Sequence, residues 1–202
     1  MTIDKETIAF YDRVAVEYGK NPKEVGESER LINFAKRITP QGDVLDLGCG
    51  FGNAARAFHS MDFNVTAFDA SEAMLEQIRK VSGITTICAD FNGLDMVDSF
   101  NGIWANFCLQ HIPRDEFPQV LDRVANSLRN DGWLLIGIHE GTETRRDKLG
   151  RLYCHYTEAD LTQRLFERGI KVHSVTLVDS IGYDGTDFTG MTIVAQKDRA
   201  ET

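Results

Sequence analysis

Residues 44–52 read Val-Leu-Asp-Leu-Gly-Cys-Gly-Phe-Gly, and this stretch constrains the fold more than any other part of the chain. The apolar run at 44–47, interrupted only by Asp46, is typical of a buried parallel strand. Three glycines then alternate at positions 48, 50 and 52. A glycine turn can bend sharply and leave bare backbone for a ligand to lie against. The stretch therefore predicts a nucleotide-type pocket at the carboxyl end of a strand.

Composition and charge restrict the class of protein. The chain has 202 residues, enough for one domain with a stable core, and 22 basic against 31 acidic residues give a net charge of −9. This charge weighs against nucleic acid or an anionic membrane as the main partner, because both favour basic patches. No run approaches the ~18 apolar residues of a membrane span, and the first residues, Met-Thr-Ile-Asp-Lys-Glu, contain no apolar signal core.

The cysteines indicate the redox compartment. Cys49, Cys88, Cys108 and Cys154 include no CxxC pair. This spacing favours buried free thiols in a reducing compartment over disulfides or a zinc site. We therefore expect a cytoplasmic protein with no metal centre.

Strand-like and helical stretches alternate through the middle of the chain. The predicted strands are 43–48, 63–69, 84–88, 100–107 and 132–138. The helical stretches between them are 53–60, 72–82 and 114–129. Ser71 is the expected N-cap of the second helix, and residues 130–132, Asn-Asp-Gly, are interpreted as the stop of the third. This alternation predicts a Rossmann-like, doubly wound α/β sheet.

The two ends of the chain depart from this alternation. Two helices are predicted before the first strand, at 4–19 and 27–38. A polar loop is predicted at 141–156, and Thr157 then opens a helix with a capping-box pattern.

The chain closes with two strand-like runs, 171–181 and 188–196, whose connecting loop suits a hairpin. The expected sheet therefore has seven strands and is mostly parallel, with an antiparallel C-terminal hairpin.

The glycine pattern differs from two common phosphate-binding motifs. A dinucleotide fingerprint is Gly-x-Gly-x-x-Gly, whereas here Gly52 comes one residue early and Asp46 precedes the first glycine by two residues. A Walker loop ends in Gly-Lys-Ser/Thr, whereas Gly52 is followed by Asn53 and Ala54. No lysine or arginine stands near, so the loop suits a ligand with little or no phosphate.

Acids also end the next two predicted strands. Asp69 ends the second strand, where a carboxylate can accept two hydrogen bonds from a ribose diol. Asp90 follows the third strand, where it can accept from an adenine amino group while Phe91 packs on the ring face. Alone, each acid is more often a turn former or helix cap. Because ligands of such sheets bind beyond the carboxyl ends of the strands, Asp46, Asp69 and Asp90 are expected to converge on one crevice.

The chain resembles class I S-adenosylmethionine (SAM)-dependent methyltransferases in three features that occur in the same order as the family's motifs: the glycine stretch at 44–52, then Asp69, then Asp90. Residues 100–113 are similar to the family's fourth strand and the loop after it, and residues 130–136 to the turn into its fifth strand. The resemblance implies SAM as the cofactor and S-adenosylhomocysteine (SAH) as its product.

The N-terminal part of the chain also takes part in the resemblance. Residues 10–18 resemble the segment that covers the cofactor in small members of the family. The resemblance thus implies a single methyltransferase domain over 1–202, in which residues 1–40 form a helical lid and residues 41–202 form the SAM-binding α/β core. Monomer and homodimer both remain open.

The resemblance also implies a set of cofactor-binding residues. The backbone around Gly48 and Gly50 would hold the methionyl part, Asp46 would orient its ammonium, and Asn106 and the residues after it would face the methionyl side and the substrate. Tyr11 and Tyr18, two turns apart on one helix face, are either cofactor-lid or core residues. The full predicted set is Tyr11, Tyr18, Asp46, Gly48, Cys49, Gly50, Gly52, Asp69, Ala70, Ala89, Asp90, Phe91, Asn106, Phe107 and His111.

Candidate catalytic residues follow the fourth and fifth strands. His111 is the first candidate base, although it can equally cap or pack against the next helix. His139 ends the fifth strand and is the second candidate. Tyr153 and His155 belong to the 141–156 loop, where they form either an acceptor wall or ordinary loop packing.

Three arginines and one cysteine also bear on the acceptor. Arg145, Arg146 and Arg151 form either an anion site or a solvated face. Cys108 lacks the preceding proline of the methyltransferases that use a cysteine nucleophile, so a buried structural thiol is favoured.

The sequence therefore predicts a SAM-dependent methyltransferase that acts on a small molecule, at an oxygen, nitrogen, sulfur or metalloid atom. Residues 106–109, Asn-Phe-Cys-Leu, lack the prolines of amino-directed nucleic-acid enzymes, which also favours a small acceptor. Two alternatives remain: a SAM- or SAH-binding protein without catalysis, and a nicotinamide-dependent oxidoreductase.

Overall fold

The computed structural model describes residues 4–18 and 29–199, and for 16–18 the backbone only. The strands are β1 (Asp43–Leu47), β2 (Asn64–Asp69), β3 (Ile84–Cys88), β4 (Phe100–Asn106), β5 (Leu128–His139), β6 (Thr144–Arg146), β7 (Leu152–Cys154), β8 (Ile170–Ile181) and β9 (Asp187–Lys197). The helices are α1 (Lys5–Tyr18), α2 (Glu29–Ala35), α3 (Asn53–Ser60), α4 (Glu72–Ile78), α5 (Phe117–Ser127) and α6 (Glu158–Phe166). Short 3-10 turns follow β3, at Phe91–Gly93, and β4, at Leu109–His111.

Seven strands form one sheet in the order β3-β2-β1-β4-β5-β9-β8. The first five strands are parallel, and β9 runs antiparallel to both β5 and β8. The predicted fold class is therefore confirmed. The order reverses at β1, which pairs with β2 on one side and β4 on the other, and ligands of open α/β sheets bind at such a reversal.

Side chains alternate across the sheet and build two apolar layers. Leu45 and Leu47 face the layer that contains α5 and α6, whereas Val44 faces the layer that contains α2, α3 and α4. All three are 0% exposed, which explains the near-continuous apolar sequence of β1. Asp46 is thus held in a dry environment at 3% exposure.

The predicted helix caps are present. The Ser71 hydroxyl accepts from the backbone N–H of Met74 at 3.3 Å, and the Thr157 hydroxyl accepts from that of Asp160 at 3.2 Å. The C-terminal hairpin also forms, closed by a hydrogen bond from Gly182 N to Thr186 O.

Three predictions about local structure are wrong. Residues 144–154 form a small hairpin of β6 and β7 inside the region predicted as a loop. Helix α5 ends at Ser127, and residues 130–132 belong to an irregular start of β5, where Asp131 has φ +61° and the register with β4 shifts. Cys88 is an exposed free thiol, because β3 is an edge strand, whereas Cys49, Cys108 and Cys154 are buried as expected.

Part of the predicted N-terminal helices, at residue 19 and residues 27–28, lies outside the described residues. Within the ranges that the structure describes, no helix is long and apolar enough to cross a membrane.

Candidate functional site

The glycine turn after β1 adopts a conformation that side chains disfavour. Gly48 and Gly50 have φ of +64° and +50°. A Cβ on Gly48 would lie 2.3 Å from Cβ of Cys108, so no side chain fits there. A Cβ on Gly50 would meet no atom within 4 Å, because this glycine borders an open cavity. The turn therefore presents bare backbone to that cavity.

Asp46 lies behind the turn. Its Oδ2 accepts a hydrogen bond from Ala55 N, in the first turn of α3, at 2.9 Å. Burial raises the pKa of Asp46 to about 7, the Ala55 hydrogen bond opposes this shift, and the charge of Asp69 adds to it. Asp46 does not border the cavity. In this structure it fastens the glycine turn to α3, and its predicted role toward an ammonium group stays a prediction.

Asp69 joins the glycine turn to the end of β2. Its Oδ2 accepts from Gly50 N at 2.8 Å, and its Oδ1 accepts from Ser71 N at 2.9 Å. Burial raises the pKa of Asp69, and these two hydrogen bonds partly offset the shift. A carboxylate has about four lone-pair sites, so the two that remain can accept from a diol in the cavity.

The cavity, about 240 Å³ in volume, lies beyond the carboxyl ends of β1 to β4. Ten of the predicted cofactor-binding residues border it: Tyr11, Gly48, Gly50, Asp69, Ala70, Ala89, Asp90, Phe91, Phe107 and His111. Four do not: Asp46, Cys49, Gly52 and Asn106. The side chain of Tyr18 lies outside the described residues.

Seven further residues border the cavity and were not among the predicted cofactor residues: Thr7, Ile8, Phe51, Phe68, Ser71, Met74 and Cys108. Thr7 and Ile8 stand four and three residues before Tyr11, so the helical period alone places all three on one face of α1. None of the described residues that border the cavity is a lysine or an arginine, which is consistent with a ligand that lacks phosphate.

Asp90 and Phe91 form the wall that follows β3. Oδ1 of Asp90 accepts from Asn92 N at 2.9 Å and so caps the 3-10 turn that begins at Phe91. Ala89 N donates to the carbonyl of Asp69 at 3.1 Å, which fixes this wall against the end of β2. The expected polar and aromatic groups for an adenine ring thus lie beside the expected ribose site.

Tyr11 and His111 meet on the opposite wall. The His111 Nδ1 lies 2.6 Å from the Leu152 carbonyl oxygen, which can only accept, so Nδ1 carries the proton. Burial lowers the pKa of His111 to about 4, which keeps the ring neutral. Its bare Nε2 then accepts from the Tyr11 hydroxyl at 3.0 Å.

The β6–β7 hairpin holds α1 over this wall. The Thr7 hydroxyl accepts from Leu152 N at 2.9 Å, and Arg146 forms an ion pair with Asp4 at 2.6 Å. Arg151 is 5% exposed and forms an ion pair with the equally buried Asp147 at 2.7 Å. The charges of Arg146 and Arg151 are therefore paired within the protein, at the contact between the N-terminal helix and the β6–β7 hairpin.

Arg145 is the exception among the three arginines. Its side chain is 32% exposed and lies 3.9 Å from Glu143. It borders a second, open pocket at the end of β5 and β9 rather than the cavity.

His139, Tyr153 and His155 do not border the cavity. The His139 ring lies 5.9 Å from Phe107 and the Tyr153 ring lies 4.7 Å from His111, and both Phe107 and His111 do border it. The His139 ring stacks on Phe188 with centroids 3.9 Å apart and contacts Tyr153 at 4.8 Å and His155 at 5.2 Å. Burial lowers the pKa of His139 to about 3, and the neighbouring His155 adds to this shift.

Cys108 borders the cavity with its thiol turned to the protein. Its Sγ donates to the Leu47 carbonyl at 3.1 Å, and burial raises its pKa well above the usual range. A protonated, hydrogen-bonded thiol is a poor nucleophile. This geometry supports the interpretation of Cys108 as structural.

Comparisons with known proteins agree on one type of domain. A family model described as a methyltransferase domain matches residues 44–132. A carboxy-S-adenosyl-L-methionine synthase from Geobacter sp. (strain M21) is 29% identical over 117 residues, which are 52% of this chain and 48% of that protein. A probable S-adenosyl-L-methionine-dependent methyltransferase TehB from Haemophilus influenzae is 24% identical over 135 residues, 64% of this chain and 47% of that protein. The chain spans about half the length of these two relatives.

A solved structure gives the same fold. The Burkholderia thailandensis 1,6-didemethyltoxoflavin-N1-methyltransferase, with bound 1,6-didemethyltoxoflavin and S-adenosylhomocysteine, has a TM-score of 0.76. The match covers 98% of this chain and 92% of that chain at 21% identity. At this identity the likeness establishes the fold.

Proposed function

We propose that this chain, a member of the class I SAM-dependent methyltransferase family, binds SAM in the cavity beyond β1 to β4 and transfers its methyl group to a small molecule. One observation carries the proposal. The carboxylate of Asp69 accepts from Gly50 N and its backbone carbonyl accepts from Ala89 N, so Asp69 lies between the places expected for the methionyl part and the adenine.

The residues of the cavity fit this cofactor. The space beside the Gly50 Cα is empty to 4 Å, which leaves room for a ligand against the backbone. The lone pairs of Asp69 that accept no hydrogen bond from the protein can accept from a ribose diol. The acids near the cavity, with no lysine or arginine among its described lining residues, suit a ligand that carries a sulfonium and an ammonium.

When bound, SAM supplies an electrophilic methyl group. The chain supplies alignment and exclusion of water, which can contribute on the order of 7 to 11 kcal/mol at best. Tyr11 and Ile8 cover one side of the cavity, and Phe107 and Cys108 close the side that faces the methionyl part. His111 holds no proton on Nε2 and can accept one there if Tyr11 moves aside.

We also propose that the methyl acceptor is a small molecule. The solved Burkholderia structure is named as a 1,6-didemethyltoxoflavin-N1-methyltransferase and the Geobacter relative as a carboxy-S-adenosyl-L-methionine synthase, and both names refer to small molecules. The charge of −9 argues in the same direction, because it disfavours nucleic acid as the acceptor.

The domain division belongs to the same proposal. In this proposal residues 1–40 form a lid on a core of residues 41–202. The contacts from α1 to the cavity and to the β6–β7 hairpin support a lid role for α1, whereas α2 packs in the apolar layer of the core with α3 and α4. The free cysteines support a cytoplasmic location.

Thermal shift and titration calorimetry with SAM, SAH and NAD test the function. A ligand at 100 times its Kd stabilises the native state by ~2.7 kcal/mol. We expect SAM and SAH to raise the Tm and NAD to leave it unchanged. We also expect Asp69→Ala to weaken SAH binding at least tenfold, with the exposed Asp95→Ala as the matched control.

The outcomes separate the alternatives. Stabilisation by NAD alone would contradict the proposal and favour an oxidoreductase. Binding of SAM and SAH with no labelled methyl group transferred to any small molecule of a cell extract would favour the non-catalytic alternative.

A further inference from the structure

Tyr11, His111 and Arg151 form a chain of hydrogen bonds that leads from the cavity wall to a buried ion pair. From this chain we infer that the Tyr11 hydroxyl takes the proton of the methyl acceptor while its own proton passes to Nε2 of His111, and that Arg151 positions the hydroxyl for this step. The inference rests on the proposed methyltransferase function and names its substrate class, which is an acceptor that carries a proton on the attacking oxygen or nitrogen.

Few groups at the cavity can take this proton. Five of the described residues that border it can gain or lose a proton: Tyr11, Asp69, Asp90, Cys108 and His111. Asp69 and Asp90 lie where the ribose and the adenine are expected, and each carboxylate already accepts from backbone N–H. The Cys108 thiol donates to a carbonyl of β1. Tyr11 and His111 are therefore the pair that remains for the acceptor.

The Tyr11 hydroxyl has the hydrogen bonds that a relay needs. A hydroxyl carries one proton and two lone pairs. The proton of Tyr11 points to the bare Nε2 of His111 across 3.0 Å, and one lone pair accepts from Nη1 of Arg151 at 3.3 Å. The other lone pair has no donor among the described residues, and Tyr11 borders the cavity. An O–H or N–H of a bound acceptor can therefore donate to it without any movement of Tyr11.

The guanidinium of Arg151 is fixed in one orientation. Its Nε and Nη2 both donate to Oδ2 of Asp147, at 2.8 Å and 2.7 Å. Oδ1 of Asp147 in turn accepts from two backbone N–H groups of the loop between β6 and β7. The rings of Phe10 and Tyr153 lie 4.8 Å and 5.3 Å from the guanidinium carbon. Nη1 is the end left for Tyr11, so a cation held on all sides sets the direction of the hydroxyl.

The charges around the pair suit a relay. Burial lowers the pKa of His111 to about 4, so Nε2 is bare at neutral pH and gives up a proton to water after the step. Burial raises the pKa of Tyr11, and the charge of Arg151 opposes this shift, so the hydroxyl keeps its proton until the relay moves it. The other charged groups that act on the pair are Asp147 beside Arg151, Asp4 before α1 and Asp69 at the end of β2.

The transfer step balances in atoms and charge. A lone pair of the acceptor oxygen or nitrogen forms a bond to the methyl carbon, the carbon–sulfur bond breaks, and its electron pair returns to sulfur as the thioether of SAH. Tyr11 takes the acceptor proton and gives its own to His111. The positive charge thus moves from the sulfonium to the imidazolium, whose Nδ1–H still donates to the Leu152 carbonyl. Water then takes the proton from Nε2.

The first measurement is the transfer of labelled methyl groups from saturating SAM to the low-molecular-weight fraction of a cell extract, with the product identified by mass spectrometry. We expect Tyr11→Phe and His111→Gln to lower the rate by a factor on the order of 10² or more, as general acid–base catalysis implies. The glutamine still accepts from the Tyr11 hydroxyl but cannot take its proton. Both variants should still bind SAH, and Tyr156→Phe, which removes another buried tyrosine hydroxyl, should keep the parent rate.

The second measurement separates positioning by Arg151 from a structural role. Arg146→Gln is the matched control for Arg151→Gln, because Arg146 also joins the hairpin to α1 but pairs with Asp4. We expect Arg151→Gln to lower the rate about tenfold or more through a misplaced hydroxyl, and Arg146→Gln to keep the parent rate. Where the unpaired Asp147 prevents folding, the double variant Arg151→Gln, Asp147→Asn removes both charges.

A titration followed by NMR reads the same contact without turnover. With labelled tyrosine and histidine, the pKa of Tyr11 and that of His111 should both rise in Arg151→Gln, because the positive charge that lowers them is removed. Neither pKa should change in Arg146→Gln. The same variants therefore report on the position of Arg151 in the free protein and on the rate.

The two proposals fail in different ways. If the parent transfers the label and Tyr11→Phe and His111→Gln keep its rate, or if its product is a thioether or a methylated metalloid, the relay is overturned and the proposed function stands. If Arg151→Gln and Arg146→Gln behave alike in rate and in both pKa values, the positioning role of Arg151 is overturned. If SAM and SAH do not bind, or the parent transfers no label, the proposed function itself fails.

Discussion

The Tyr11 hydroxyl donates a hydrogen bond to Nε2 of His111 across 3.0 Å and so connects the N-terminal helix with the turn that follows β4. These residues are 100 positions apart in sequence, and both border the cavity. Because the other ring nitrogen of His111 donates to the Leu152 carbonyl, the same imidazole also connects the helix with the β6–β7 hairpin. One neutral histidine therefore joins the three elements that close the site.

Tyr11→Phe tests this connection. The change leaves Nε2 of His111 buried without a donor, which costs ~1–3 kcal/mol, and it weakens the hold of α1 on the cavity. We expect the Kd for SAH to rise about five- to tenfold, measured by calorimetry. Tyr156→Phe is the control, because its buried hydroxyl has no partner among the described residues, so its loss should leave both stability and the Kd for SAH intact. An unchanged Kd for Tyr11→Phe would show that the contact does not support binding.

Alanine at Gly48 and at Gly50 should have different consequences. Both positions have positive φ, which costs an alanine ~1–2 kcal/mol. At Gly48 the new Cβ also meets Cys108, which adds an overpacking cost of ~1–3 kcal/mol. We expect Gly48→Ala to lower the free energy of unfolding in urea by the sum of both terms.

Gly50→Ala should lower the free energy of unfolding by the first term alone, since its Cβ enters open space, but should weaken SAH binding at least tenfold. Equal losses of stability in the two variants would contradict the described turn.

The pH dependence of stability should report on Asp46. Its folded pKa of about 7 lies above the ~3.9 of an unfolded chain. The folded state therefore binds more protons between these values, and the stability contributed by Asp46 is full below the unfolded pKa and is lost as pH rises through 7. Asp46→Asn keeps an oxygen for Ala55 N and removes this loss. We expect the Tm gain of the variant over the parent to be larger at pH 8 than at pH 5.

Titration of the histidines does not change the Tm difference between the Asp46→Asn variant and the parent. The pKa values of His111 and His139 are lowered, so their contribution to stability rises with pH up to the unfolded pKa of ~6.5. They are present in both proteins and cancel in the difference. Asp95→Asn serves as the exposed control. If the Tm gain of Asp46→Asn is no larger at pH 8 than at pH 5, Asp46 is ionised in the folded state without a loss of stability, which contradicts its raised pKa.

Cysteine alkylation should distinguish the four thiols. N-ethylmaleimide should modify Cys88, which is exposed at the edge of the sheet, and spare the buried Cys49, Cys108 and Cys154 until the protein unfolds. Peptide mass spectrometry reads this directly. Rapid modification of Cys108 in the native protein would argue for a reactive thiolate at the cavity and against its structural role.

The sequence predicted the parts of this fold that depend on local patterns. Strand β1 and the turn after it could be predicted because a buried strand needs apolar residues and the turn needs glycine. Asp69 and Asp90 could be placed because parallel strands end at the same edge of a sheet.

The parts that depend on distant contacts could not be predicted. Each strand of the β6–β7 hairpin has only three residues, too few for a periodic signal. The sequence left Arg151 as part of either an anion site or a solvated face; it is buried because the ring of Phe10 on α1, distant in sequence, lies 4.8 Å from its guanidinium. The positions of Tyr153 behind His111 and of His155 beside His139 likewise depend on contacts between segments that are distant in sequence.

The central claim is that the cavity beyond β1 to β4 is a SAM site organised by Asp69. A crystal structure of the protein with SAH tests it most directly. The claim predicts the ribose diol on the Asp69 carboxylate, the adenine against Asp90 and Phe91, and the sulfur between the Gly48–Gly50 turn and Phe107. Density for SAH elsewhere, or a ribose that does not contact Asp69, would contradict it.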